Sequence, residues 1–151
     1  MKYLSILLLL IVCSCAKEPL TYEEQLAKDI EIINSYLTEN GLTANSTASG
    51  LRYIITQAGS GAHPGPNSTV TVNYKGYYTN KEVFDQSDPG SPITYKLSQF
   101  IKGWIEGIQL MQKGGKAILL VPSGLAYGPN PTNGIPANAV MIFEIELIDF
   151  N

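Results

Sequence analysis

The sequence predicts an α+β fold, an antiparallel β-sheet with one short helix lying across it and a further helix ahead of it. Three observations point there. Segments such as LRYIIT and TVTVNYKGYY are rich in β-branched and aromatic residues and alternate at period two, as half-buried strands do. The stretch SQFIKGWIEGIQLM, Ser98 to Met111, repeats its apolar residues Ile101, Trp104, Ile105, Ile108 and Met111 at three- and four-residue steps, which places them on one helical face. Several strands, a single internal helix and long loops between them make the sheet antiparallel.

The chain opens with a segment outside this fold. Lys2 precedes LSILLLLIV, a run too short to span a bilayer as a permanent helix and suited to a secretory signal. Ser14 then directly precedes Cys15, a pattern that resembles the lipobox of a bacterial lipoprotein. Cleavage there removes residues 1–14, Cys13 among them, and leaves Cys15 as the acylated first residue. Cleavage before Cys13 would put Val12 where a small residue is expected; an ordinary secreted protein with a free Cys15 is the other alternative. On the lipobox reading the mature chain has no disulfide, thiol nucleophile or cysteine ligand. Each buried methylene contributes about 0.8 kcal/mol, so several acyl chains tether the protein without a spanning helix.

Residues 15–49 read as a tether and an amphipathic helix. Thr21 and Glu24 have capping-box spacing, Leu26, Ile30, Ile33 and Leu37 form the apolar stripe, and Asn40-Gly41 ends it. Glu24 and Lys28 are spaced for an i,i+4 pair. The stripe packs on its own domain or on a partner. TANSTASG is a polar linker, and the compact domain runs from Gly50 to Asn151. Strands are expected at LRYIIT, TVTVNYKGYY, VFDQS, ITYKL, KAILLVP and VMIFEIELIDF, with Ser98 capping the internal helix. Asn45 and Asn67 match N-x-S/T, but in a bacterial lipoprotein they are chance polar loop sequence.

Much familiar chemistry lacks its residues. The net charge is −3 with no basic cluster, which argues against a nucleic-acid partner. His63, the single histidine, lies in the loop GAHPG with no second histidine to share a metal or a triad, and reads as an exposed loop residue. No phosphate-binding glycine motif follows a strand. Asp85, in VFDQS, is a carboxylate beside an aromatic with no nameable partner for hydrolysis. No metal or cofactor is expected. What remains is aromatic: Tyr74, Phe84, Tyr95, Phe100, Trp104, Tyr127 and Phe143, which are either core or site. Trp104 is the single tryptophan, and Gly103 before it bares one side of its ring.

Four segments in order, VTVNYKG with VFDQS, FIKGWIEGIQLM, VPSGLAYG and GIPANAVMIFEIEL, resemble the signatures of the FK506-binding-protein family of peptidyl-prolyl cis/trans isomerases. The resemblance covers Gly50 to Asn151, and the helix and lipobox ahead of it are similar to the family's envelope lipoprotein branch, some of whose members are linked to gliding motility. It implies a sheet wrapped around the short helix with an apolar pocket between them. In that pocket Trp104 is the floor, Tyr74, Phe84, Ile101 and Phe143 are walls, Asp85 and Tyr127 are polar groups at the rim, and Ile135 is the apolar residue of the last loop. Ile93, Tyr95 and Phe100 occupy apolar but variable places; Ile93 stands where many members have an aromatic and Phe100 where a smaller aliphatic is common, changes that reshape the pocket. The turn TNKE lacks a glycine often found there.

The implied activity is isomerisation of X-Pro bonds in exported polypeptides, with Asp85 and Tyr127 acting on the substrate and FK506-like macrolides as inhibitors. Such rotation breaks no covalent bond, which fits the missing nucleophile and metal. For Asp85 a structural role, orienting Tyr74 or a neighbouring amide, stands beside a direct electrostatic one. The rival reading is a non-catalytic module or chaperone that holds proline-containing segments in a membrane-associated assembly.

Overall fold

The computed structural model describes residues 18–131 and 134–151. The signal segment 1–14 and the acylation candidate Cys15 lie outside them. Helix α1 (Tyr22–Glu39) is followed by strands β1 (Asn45–Ser46), β2 (Arg52–Gln57), β3 (Thr69–Tyr78), β4 (Val83–Gln86) and β5 (Ile93–Lys96). Helix α2 (Lys102–Ile108) then leads to β6 (Lys116–Val121) and β7 (Met141–Phe150). The seven strands form one antiparallel sheet in the order β1-β2-β6-β7-β3-β4, with β5 pairing the first half of β3. The predicted α+β fold is therefore present, N-terminal helix included.

Period two explains how the sheet serves two helices. On one face Val70 and Val72 of β3, Ala117, Leu119 and Val121 of β6, and Met141, Phe143, Ile145 and Leu147 of β7 bury against Trp104, Ile108 and Met111. On the other face Tyr77, Leu120 and Ile142 pack with Ile33 and Tyr36 of α1. Where α1 covers the second face, at Leu120 of β6 and Ile142 of β7, the sequences ILLV and MIF read as continuous apolar runs; farther along β7 Glu144 and Glu146 restore the alternation. Helix α2 crosses β6 at glycine range: a Cβ on Gly103 would lie 2.5 Å from Val121 Cγ1, and one on Gly107 2.5 Å from Leu119 Cδ1. A side chain at either position would force Val121 or Leu119 to give way, or the helix to move off the sheet.

Helix α1 begins and ends as its residues dictate. Thr21 accepts the Glu24 N–H and Glu24 accepts the Thr21 N–H, a complete capping box, while Gly41 beyond the last turn takes φ +63°. Its apolar stripe packs on its own sheet, deciding between the two alternatives the sequence left open.

Two local readings are corrected and a third is explained. Ser98 does not cap α2: it lies in a 3₁₀ turn, Leu97–Gln99, Phe100 is extended (φ −89°, ψ 171°), and the helix starts later with Ile101 at its N-cap and no side-chain cap. The linker TANSTASG contains strand β1, because Asn45 and Ser46 find the unpaired edge of β2 at Tyr53 and Arg52; Asn45 is thus a strand residue. In the TNKE turn, Lys81 takes the left-handed conformation (φ +70°) that a glycine would otherwise supply.

Candidate active site

Between the inner face of the sheet and α2 the packing is left open. A cavity of about 230 Å³ is lined by Tyr74, Phe84, Asp85, Ile93, Gln99, Phe100, Ile101, Trp104, Tyr127 and Phe143. β3 contributes Tyr74, β4 Phe84 and Asp85, β5 Ile93 and β7 Phe143, so four strands converge on α2.

Trp104, 3% exposed, organises the walls. Tyr74 and Phe143 meet its ring edge-on, with centroids at 5.2 and 5.3 Å, and Phe100 stacks at 4.7 Å. Phe84 meets Phe143 edge-on at 5.6 Å. Such ring pairs favour these offset and perpendicular geometries, each worth about 0.5–1.5 kcal/mol beyond burial. The rings brace one another upright, and the space they enclose stays open. The indole N–H of Trp104 is buried without a hydrogen-bond partner among the described residues.

The rim is polar. The Tyr74 hydroxyl donates to Asp85 Oδ2 at 2.6 Å. Burial, and then this bond to Asp85, raise the Tyr74 phenol well above the ordinary tyrosine range. Burial and the nearby Asp85 charge raise Tyr127 in the same direction. Both phenols are therefore neutral donors near pH 7. Asp85 is in place to orient Tyr74, one of the two roles considered for it. Tyr127 is 45% exposed, and among the described residues its hydroxyl has no hydrogen-bond partner.

All the sequence-predicted site residues meet at this cavity except Tyr95 and Ile135. Tyr95 is 53% exposed and touches only the outside, its ring edge-on to Phe100 at 6.1 Å. Ile135 lines an adjoining groove of about 720 Å³ that shares Phe84, Asp85 and Tyr127 with the cavity. Three residues were missed by sequence reasoning. Gln99 lines the cavity while its side-chain oxygen accepts the Lys96 N–H at 3.3 Å. Ser87 Oγ accepts the Tyr74 N–H at 3.1 Å and donates to its carbonyl at 3.3 Å, fixing the strand under that ring. Gly76 leaves room for both Phe84 and Phe143, whose ring atoms lie 2.6 and 2.9 Å from where a Cβ would stand. All three lay within stretches already singled out: Ser87 ends VFDQS, Gly76 ends VTVNYKG, and Gln99 is the second residue of SQFIKGWIEGIQLM.

The arrangement is a ring-walled slot of about 230 Å³ with two neutral phenols at its mouth, Tyr74 with its proton on Asp85 and Tyr127 with a hydroxyl that can donate outward. It can hold an apolar ring and offer hydrogen bonds to a carbonyl attached to it.

The comparisons with known proteins agree with this geometry. Residues 60–148 match the family model described as FKBP-type peptidyl-prolyl cis-trans isomerase. The isomerase FkpA of Aeromonas hydrophila is 47% identical over 104 residues, covering 68% of this chain and 39% of that protein. The crystal structure of FkpA from Escherichia coli superposes with a TM-score of 0.75 at 37% identity, covering 85% of this chain and 60% of the other. A peptidyl-prolyl cis-trans isomerase from Pseudomonas syringae superposes at 0.73 with 29% identity, over 89% of this chain and 98% of the other. The chain spans about two fifths of the length of the curated relative it matches. Motif order, sheet topology and the ring-walled cavity all carry the same assignment, and the chain belongs to the FKBP-type peptidyl-prolyl cis-trans isomerase family.

Proposed function

We propose that this chain accelerates cis/trans rotation of X-Pro bonds in exported polypeptides, working from a lipid anchor at Cys15 in the bacterial envelope. The observation that carries the catalytic reading is the cavity on Trp104, closed by rings and edged by two neutral phenols, of which Tyr127 can donate to a bound chain while Tyr74 is bonded to Asp85. Family membership and the relatives' names, isomerases all, support it.

The barrier to rotation, roughly 18–20 kcal/mol, comes from amide resonance that is lost at the twisted geometry. The twisted amide is less polar than the planar one, so a desolvated apolar slot favours it relative to water. Trp104, Phe84, Tyr74 and Phe143 grip the proline ring, and the Tyr127 hydroxyl and the backbone near Ile135 hold the chain on either side while the bond turns. Donors already in place need no rearrangement as the twist develops. Asp85 keeps Tyr74 upright in the wall. X-Pro rotation takes tens to hundreds of seconds unaided and can limit folding, which gives an envelope isomerase its use.

The anchor rests on LSILLLLIV followed by Ser14 and Cys15. FK506-like macrolides, which present a saturated ring beside a carbonyl, are the expected inhibitors.

The test is a protease-free isomerisation assay on a proline-containing peptide with and without FK506. Acceleration abolished by the drug is expected. Drug binding without acceleration would instead leave a module that holds proline segments, and the absence of both binding and acceleration would overturn the reading. Cys15→Ser is expected to release the protein from membranes; retention would defeat the anchor.

A further inference from the structure

We propose that Asp29, on the N-terminal helix and outside the cavity, is a positioning residue for Tyr127. It is 0% exposed, a carboxylate wholly withdrawn from water. Its Oδ2 accepts both the Ser123 N–H at 2.7 Å and the Ser123 hydroxyl at 2.6 Å, and its Oδ1 accepts the Gln25 side-chain amide at 2.7 Å. Ser123 lies 94 residues downstream and opens the 3₁₀ turn Ser123–Leu125. The carbonyl of Ser123 in turn accepts the N–H of Ala126 at 3.0 Å and of Gly128 at 2.9 Å, the two residues that bracket Tyr127. Gly128 passes the constraint on, its carbonyl accepting the Asn138 N–H at 2.9 Å in the loop that carries Ile135.

The same turn is held at a second point. Gly124 sits against Tyr22 of α1, so close that a Cβ would lie 2.7 Å from the ring. Helix α1 thus touches the turn through a buried charge-assisted bond and a ring. The apolar seam of Ile33, Leu120 and Ile142 already fastens α1 to the sheet, and burying a carboxylate is a costly way to add adhesion. What Asp29 adds is direction. Charge-assisted bonds are short and angle-dependent, so they select one position of Ser123, and through it one position of the peptide groups on both sides of Tyr127. Because Tyr127 has no partner of its own among the described residues, its placement depends on this backbone.

This inference rests on the proposed isomerase reading for its catalytic readout but not for its structural one. The test uses the full chain carrying Asp29→Ala, Asp29→Asn and Ser123→Ala, with Ile33→Ala as a control that weakens α1 without touching the turn. Asp29→Ala is expected to lower kcat/KM about tenfold, while Asp29→Asn, which keeps one acceptor oxygen, lowers it about threefold. Ile33→Ala, measured where it is fully folded, leaves kcat/KM within about twofold. In a Tyr127→Ala background, Asp29→Ala has little further effect, because the residue it positions is gone.

Amide exchange supplies the second arm: Ala126 and Gly128 exchange faster in Asp29→Ala relative to the core amides of Leu119 and Ile145, but not in Ile33→Ala. Full additivity with Tyr127→Ala, or equal rate losses in Asp29→Ala and Ile33→Ala, would overturn the proposal. If Asp29→Ala does not fold, Ser123→Ala carries the same cycle with about a threefold loss. Should the wild-type chain show no isomerase activity, the exchange arm still decides: selective release of Ala126 and Gly128 supports the brace, and unchanged exchange removes it.

Discussion

The sheet has a helix on each face, and the two faces are finished differently. Against α1 the centre of the seam is aliphatic, with Ile33, Leu120 and Ile142 fully buried and Tyr36 and Tyr77 packed beside them, and the seam closes. Against α2 the closing residues are rings, which prop one another at right angles around Trp104 and leave about 230 Å³ open. Aliphatic side chains interdigitate to crystal-like density, whereas rigid rings held edge-on span a space without filling it. One face of the sheet therefore provides adhesion and the other an open cavity, and both draw on the same strands.

Substitutions on the two faces should separate stability from activity. Ile33→Ala leaves a cavity in the closed seam and is expected to cost about 2–5 kcal/mol in urea unfolding. Phe84→Ala, at the half-buried wall, is expected to lower kcat/KM by about tenfold to a hundredfold while costing less stability than Ile33→Ala, because part of that ring already faces open space. Equal losses of stability and activity at Phe84 would make its ring core, and the contrast between the faces would fail.

How much of this was legible in the sequence follows from the same contrast. The strands and the stripe of α1 were readable because burial repeats at period two or at helical spacing over many residues. Trp104, Phe143 and Tyr74 were nameable because the family motifs carry them. Asp29 was not readable: a charged residue inside a helix suggests a solvated face, and its partner, Ser123, lies 94 residues away. Gln99 was hidden for a related reason. The segment from Ser98 read as one helix, yet Phe100 is extended, and that break turns Gln99 into the cavity. Likewise β1 depended on an unpaired edge of β2, a fact of tertiary structure that TANSTASG does not announce.

A smaller effect probes the rim alone. Tyr127→Phe removes one hydroxyl that is half-exposed and bonded to nothing in the described residues, so stability should change by no more than about 0.5 kcal/mol. Activity is expected to fall about fivefold, the loss of one donor to the substrate chain. A fall in the urea midpoint as large as the change in kcat/KM would show the hydroxyl holding the fold instead.

The least perturbing test changes only pH, and it distinguishes the faces by their phenols. Tyr77, on the α1 side, is raised above the ordinary value of 10.0 by burial first and then by the neighbouring Tyr36 hydroxyl; Tyr74 and Tyr127, at the cavity, are raised by burial first and then by Asp85. A raised phenol holds its proton more tightly in the folded chain than in the unfolded one. The stability this contributes is fully present below pH 10 and is lost as pH rises through the folded values. Urea midpoints should accordingly fall above pH 10, and less steeply in Tyr77→Phe. Activity measured where the chain is still folded should stay level to about pH 10, because the rim donors keep their protons. Asp85→Asn removes a neighbouring charge and should move the alkaline limb of activity to lower pH, but not to the unperturbed value, since burial is the larger cause for both phenols. A wild-type limb already at or below pH 10 would mean that the rim is wetter than its rings allow, and the difference between the closed face and the open one would then lie in shape alone.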